Sequence, residues 1–356
     1  MLKQLPPIYN VAINPTGIGG TESFSRLLME CFPELNTYCY GVPEHEFYKA
    51  NYFYVKKRFL FKLLHWFFKK LFPESIRYDN TCFGDGIYVF NAPCDLSRVP
   101  ESLLKNNSII YVAHNTPEHV NSHKNYLGSN REERLRLMKY VDRVVCLSDD
   151  WIYDFSTMLG LPEDRIQSCF NSTNLVPVTS PKTNVSSSVV TICRLENKAK
   201  RLDRVLEVAH LLPSIEFKIF GNGPDRIDLV EKSKELSNVK FMGSTTDVPK
   251  VLNDTGLFLM TSDNEGFPVV LVEALSQAVP IIIGHHSFSS ANDIVVNGIN
   301  GFVVNEFNAQ AVADKVNTVL KELPKYSKGA LDQYQQFDKQ AFKEQWQNVF
   351  QDVLPN

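Results

Sequence analysis

At 356 residues the chain is long for one domain and comfortable for two of about 150 to 200, each large enough to bury a core. Apolar residues make up 44% and charged residues 22%, the balance of an ordinary globular protein, which argues against a disordered or fibrous chain. A net charge of −3 excludes a global pull toward nucleic acid, so a polyanion partner would need a local basic patch.

The opening MLKQLPPIYN lacks a positive region followed by an apolar one, and no apolar run reaches the ~20 residues that cross a bilayer. The expectation is a cytosolic chain with reduced thiols. Its seven cysteines (Cys31, Cys39, Cys82, Cys94, Cys146, Cys169 and Cys193) are scattered and include no C-x-x-C pair. The sequons at Asn106, Asn171 and Asn184 are then chance matches.

The first half offers short apolar strands at 9–13 (YNVAI), 87–90 (IYVF), 109–113 (IIYVA) and 143–147 (RVVCL), with helical stretches between them. Gly17, Gly19 and Gly20 follow the first strand and precede a helix. Glycines at such a junction form either a tight turn or a cradle whose amides approach a phosphate unobstructed. His114 ends the 109–113 strand, as a structural histidine or one facing a ligand, and His119 reads as structural. Ser148, Asp149 and Asp150 read as a helix cap and not as metal-binding carboxylates. No Cys/His/Asp cluster with metal spacing occurs, so no metal or other cofactor is expected.

Residues 55–72, VKKRFLFKLLHWFFKKLF, carry six Lys or Arg and no acid. On a helix, Arg58, Lys62, His65 and Lys69 share one face opposite a broad Phe, Leu and Trp face. That pattern is either a basic amphipathic helix for an anionic membrane surface or a buried helix with a lysine edge. Nucleic acid is the poorer partner, because the aromatic residues form an apolar face and do not interleave with the basic ones.

Residues 174–188, rich in Pro, Ser, Thr and Asn, read as a linker. The α/β rhythm then repeats at 189–193 (VVTIC), 216–220 (EFKIF), 256–260 (GLFLM) and 280–284 (PIIIG). Strands that are apolar on both faces and separated by helices imply parallel sheets covered on each side. The fold class is therefore α/β, doubly wound, twice over, with ligands expected at the carboxyl ends of the strands in a cleft between two domains. The expected bounds are 1–178 for the first domain and 186–335 for the second. A last helix, 336–356, has Phe342, Trp346, Val349 and Val353 on one face, which must dock on another part of the chain.

Within TSDNEGFPVVLVEALSQAVP (261–280), two carboxylates lie eight positions apart in an apolar run. Pro268 suits the first position of a helix, which puts Gly266 and Phe267 at an entrance that favours an anion, most naturally phosphate. Glu265 stands outside that entrance and Glu273 along the helix side, where an ionised carboxylate could accept two hydrogen bonds from a ribose. The bland alternative makes Glu265 a capping charge and Glu273 a solvated position. Arg194 and Lys200, in RLENKAKRLDR, either belong to a solvated charge run or neutralise a departing diphosphate, with Lys198 competing for the lysine role.

Glu-Gly-Phe-Pro with seven residues between its glutamate and the next resembles the E-x7-E signature of the retaining GT-B glycosyltransferases, family 4 in particular. TICRLENKAKRLDRVLEV, FGNGP, VKFMGSTTDVPKVL and DIVVNGINGFVV are similar to that family's other blocks and follow in its order, across residues 189–304. The first half is thinner, with GIGGTESFSRLLME and IIYVAHNTPEHV the matching stretches. The resemblance implies a GT-B fold of two Rossmann-like domains, the second binding a nucleotide-sugar and the first the acceptor, with the last helix crossing back to the first domain.

It further implies retention of configuration without a metal, with Glu265, His114, Arg194 and Lys200 in catalytic positions. Glu265 would hold a hydroxyl of the donor sugar and Glu273 the ribose, with Gly266, Phe267, Pro268 and Val269 beside them. Met242 would lie at the base, Gly19 and Gly20 at the diphosphate, and His114 at the transferred sugar. The implied partners are a nucleotide-sugar, UDP before GDP, and a glycan or lipid-linked glycan acceptor on a lipopolysaccharide or capsule route. The protein would work in the cytosol or on the inner face of the plasma membrane. A catalytically silent partner of an active transferase is the alternative.

Overall fold

The computed structural model describes residues 5–12, 20–39, 52–54, 84–97, 99–121, 131–183, 187–285 and 290–354. The chain forms two compact units, one of Met1–Asn171 with Phe342–Asn356 and one of Ser172–Ala341. Gly17, Gly19 and the basic stretch 55–72 lie outside the described residues.

Among the described residues the first unit holds a parallel sheet of β1 (Ile8–Ala12), β2 (Asn36–Cys39), β3 (Tyr52–Tyr54), β4 (Ile87–Phe90), β5 (Ser108–Val112), β6 (Arg143–Cys146) and β7 (Ile166–Ser168). The spatial order is β3-β2-β1-β4-β5-β6-β7. Its central strands are buried end to end because helices cover both faces, which is why they read as unbroken apolar runs. One side of the sheet packs Ile8, Ile87, Val89, Ile110 and Val112 against Phe24, Leu27 and Leu28 of the helix Gly20–Cys31.

The same core takes Phe342, Trp346, Val349 and Phe350 from the final helix, Lys339–Asp352, and Val353 just past its end. Trp346 is fully buried and stacks at a tilt on Phe24, with ring centroids 5.4 Å apart. The amphipathic face of that helix therefore has its partner in the first unit.

The second unit repeats the design with β8 (Ser188–Ile192), β9 (Glu216–Phe220), β10 (Val239–Gly243), β11 (Leu257–Met260), β12 (Ile281–Ile283) and β13 (Gly301–Val303), in the order β10-β9-β8-β11-β12-β13. Each sheet follows the doubly wound order in which the connections reverse direction between its first and fourth strands. The reversal opens a crevice at the carboxyl ends of β1 and β4, and of β8 and β11.

The stretch expected to be a linker belongs to the second unit from Ser172 onward. Val178 N–H donates to Ser276 O at 2.9 Å, Gln277 donates its side-chain amide to Val176 O, and Lys182 Nζ caps the carbonyls of Leu252 and Asn253. Absence of periodicity thus marks an extended segment held by its backbone, not a free tether. Asp150 does sit at the N-cap of the helix Trp151–Leu159, but its side chain makes no capping bond. Asp149 instead accepts from Ser168 Oγ.

Gly221 closes β9 against its neighbour. Its φ is +133°, and a Cβ there would stand 1.8 Å from Cys193 O, so both the backbone and the space demand glycine. Gly221→Ala is expected to cost the second unit about 3 kcal/mol, read as a lowered urea midpoint by circular dichroism. An unchanged midpoint would show that the close approach carries no energy.

Candidate functional site

Strands β8 and β11 pair only through Val189 with Leu257 and Val190 with Phe258. Beyond that register they separate, and Thr191 Oγ1 bridges the gap by donating to Leu259 O at 2.8 Å. The segments that continue from the two strand ends, 193–201 and 261–268, therefore line the crevice from opposite sides.

They are stitched together just beyond it. Asp263 N–H donates to Ala199 O at 2.9 Å, and Thr261 Oγ1 donates to Arg201 O at 2.9 Å. Arg201 sits between two helices, Asn197–Lys200 and Leu202–Leu211, with φ +49°, a conformation unfavourable for a side-chain-bearing residue. It is held there by donating to Asp203 and to Asp263, the latter at 3.0 Å. Arg204, nearly buried against the Phe307 ring, donates to Asp263 Oδ1 at 2.5 Å and to Thr261 O at 3.1 Å. Burial works to raise the Asp263 carboxyl, but the bonds from Arg201 and Arg204 outweigh it and hold the group below its ordinary range.

This clamp sets Lys200 and Glu265 face to face. Lys200 Nζ donates to Glu265 Oε1 at 2.6 Å, with side-chain exposures of 23% and 13%. Lys198 is exposed, so of the two lysines it is Lys200 that turns to the crevice. Arg194 follows β8 as expected, but its side chain is 70% exposed and lies 3.7 Å from Glu196. Cys193 is the neighbouring thiol, and burial pushes it up to about 12 despite Lys200, so it is no thiolate nucleophile.

The helix Val269–Ser276 begins one residue later than the proline suggests, with Pro268 as its N-cap at φ −75° and ψ 94°. Pro268 and Phe267 are buried, Phe267 tilted against Phe337 with centroids 6.0 Å apart. Gly266 O accepts from Ser290 Oγ at 2.7 Å, which fixes the loop in front of the helix. Val269 opens the first turn, where the leading N–H groups have no intrahelical acceptor.

Glu273, one turn on, is half-buried, and no hydrogen bond or ion pair to its carboxylate occurs among the described residues. Burial alone pushes that carboxyl up to about 7. Met242 lies on β10, at the outer edge of the sheet, where a bulge between Phe241 and Gly243 leaves it unpaired and 48% exposed.

In the first unit His114 stands just past β5. Its Nε2 lies 3.0 Å from Asn91 Oδ1, and its ring meets Phe24 edge-on at 4.8 Å. Burial pushes its pKa down to about 3, so the imidazole is neutral. Gly20 starts its helix with open space where a Cβ would be, and Glu22 adds a carboxylate to the same turn. Nothing described around Gly20 requires glycine. Among the described residues no group of three or more His, Cys, Asp or Glu side chains is placed to hold a metal.

Motif spacing singled out Glu265, Glu273 and Lys200, but not Asp263, Arg201, Arg204, Asn91 or Asn10. The first three sit in charge-rich text that reads as solvated surface, and the signal available for them was only the alternation of opposite charges in KRLDR and TSDNE.

Residues 181–343 match the family model of glycosyl transferases group 1. The poly(glycerol-phosphate) alpha-glucosyltransferase of Bacillus subtilis (strain 168) is 24% identical over 242 residues, which are 65% of this chain and 34% of the relative. The poly(ribitol-phosphate) alpha-N-acetylglucosaminyltransferase of Staphylococcus aureus (strain COL) is 25% identical over 249 residues, 65% of this chain and 49% of the relative. The chain thus spans between a third and a half of the length of these curated relatives.

Among solved structures, Anabaena Alr3699/HepE in complex with UDP has a TM-score of 0.73 at 16% identity and covers 97% of this chain and 99% of its own. The lipopolysaccharide outer core galactosyltransferase WaaB, in apo form, has a TM-score of 0.71 at 17% identity, with the same coverage. The fold is that of the GT-B glycosyltransferases. Its residues 181–343 resemble a group 1 glycosyl transferase domain.

The unpartnered Glu273 gives a pH signature. The folded state keeps the proton up to about pH 7, whereas the unfolded chain releases it near the ordinary 4.5. Stability therefore falls as pH rises between those values and is level above them. Glu273→Gln removes this slope, so the variant should gain on the wild type across the window, by on the order of 2 kcal/mol at pH 8, with the gain gone at pH 4. Denaturant midpoints at both pH values check it, and an equal difference at each would contradict it.

Proposed function

We propose that the protein is a retaining glycosyltransferase that moves a sugar from a nucleotide-sugar, a UDP-sugar, to a hydroxyl of a cell-surface glycan acceptor. The observation that carries the reading is a paired Lys200 and Glu265, beside an unpartnered Glu273, all at the switch point of the second sheet. A diphosphate brings the charge that Lys200 can accept, a ribose brings two donors for Glu273, and Glu265 is left to accept from a sugar hydroxyl.

Arg194, exposed and tethered only at 3.7 Å to Glu196, is free to swing onto the same phosphates. Gly266 to Val269 would present backbone N–H groups to them. The bulged backbone at Met242 would meet the base. As the bond between the anomeric carbon and the phosphate oxygen breaks, charge grows on the leaving diphosphate, and Lys200 and Arg194 stabilise it without a metal. The acceptor oxygen bonds to the anomeric carbon on the face that the diphosphate leaves, and the acceptor proton passes to a leaving-phosphate oxygen. His114 accepts from a hydroxyl of the transferred sugar.

Names of similar proteins support the details. HepE is described in complex with UDP-glucose and TarM of S. aureus with UDP, and the two curated relatives are named for α-linked transfer, the outcome of retention from an α-linked donor. WaaB is named for the lipopolysaccharide outer core, which supports a lipid-borne acceptor. The basic and aromatic residues 55–72 support its delivery at an anionic membrane face.

Purified protein with a panel of UDP-, GDP- and ADP-sugars should release nucleoside diphosphate from one UDP-sugar. Glu265→Ala should lower that release by about 10²–10³-fold while calorimetry still shows UDP binding. Failure of the wild type to bind any nucleoside diphosphate would contradict the reading.

A further inference from the structure

The buried amides beside His114 decide which of its nitrogens can act. Asn91, at the end of β4, is 5% exposed, and Asn10 on β1 is fully buried. The Asn91 side-chain nitrogen donates to Val11 O at 2.9 Å and to Asn10 Oδ1 at 2.7 Å. A backbone carbonyl only accepts, so the contact with Val11 settles which end of the Asn91 amide is nitrogen. Both amide hydrogens are used there.

The Asn91 oxygen is therefore what faces His114 Nε2 at 3.0 Å. An amide oxygen cannot donate, so Nε2 carries the hydrogen. Among the described residues no charged group acts on the ring, and Phe24 closes one side of it. A neutral imidazole has a single N–H, and with that hydrogen on Nε2 the Nδ1 lone pair is open. No hydrogen bond to Nδ1 occurs among the described residues.

We propose that Asn91 is a positioning residue that locks His114 in the Nε2–H tautomer, so that Nδ1 can only accept a hydrogen bond from a hydroxyl of the transferred sugar. The use of that lone pair rests on the function proposed above; the tautomer does not. A histidine so held cannot serve as a general acid, and it discriminates between a hydroxyl that can donate and a group of the same size that cannot.

Nitrogen-15 NMR of the full-length protein, with the His114 resonance assigned by a His114→Gln variant, should show a pyrrole-type Nε2 and a pyridine-type Nδ1 from pH 6 to 8. Asn91→Leu removes the acceptor and should mix the tautomers, lowering kcat by about 10–100-fold with the UDP Kd unchanged. Asn91→Asp restores an acceptor for Nε2–H but adds a charge that favours imidazolium, so its activity should recover at high pH and fall along a new acidic limb. A pyridine-type Nε2 in the wild type overturns the proposal, as does an Asn91→Leu protein with the wild-type tautomer and kcat. A wild type with the expected tautomer but no turnover of any nucleotide-sugar would instead overturn the proposed function.

Discussion

The contact between Lys200 and Glu265 depends on how two strand ends are held apart and then tied together. Alone, each charge would be costly at its depth, and each would need a partner. Paired at 2.6 Å they neutralise one another. Their alignment is set by Asp263, which is bound through its backbone to Ala199 and through its carboxylate to Arg201 and Arg204. Under the proposed function an incoming diphosphate would offer Lys200 another acceptor, and the carboxylate it gives up would then be open to a sugar hydroxyl. Binding of donor and release of the Glu265 carboxylate are thus one event in the proposed function.

The same topological position is used in both units with opposite chemistry. In the second sheet, the segments after β8 and β11 carry the paired charges of Lys200 and Glu265 and the Asp263 clamp. In the first, the ends of β1, β4 and β5 carry a neutral chain, Asn10 to Asn91 to His114, whose burial keeps the imidazole uncharged. A parallel sheet buried on both faces leaves its strand ends as the place where polar side chains can gather without costing the core.

Much of this was legible in the sequence. Strands apolar on both faces, such as IYVF and GLFLM, announce themselves because burial on two sides leaves no polar alternation. Edge strands do not: YFY and IQS are short, and VKFMG alternates between half-buried and exposed positions, so their pairing is known only once a neighbour is in place. The segment 174–183 misled for a related reason, since its fixation lies in backbone bonds to residues about a hundred positions away. At the site, the seven-residue spacing between them singled out Glu265, before the helix, and Glu273, within it. Asp263 and Asn91 gain their surroundings from partners distant in the chain, and no local pattern encodes that.

The most direct measurement is a crystal structure of the protein soaked with UDP. The account predicts the ribose hydroxyls on the Glu273 carboxylate, the β-phosphate on Lys200 Nζ with Arg194 drawn in from its exposed position, and Glu265 released from the lysine. UDP seated away from the carboxyl ends of β8 and β11, or bound there with the Lys200–Glu265 contact intact and Glu273 untouched, would contradict it.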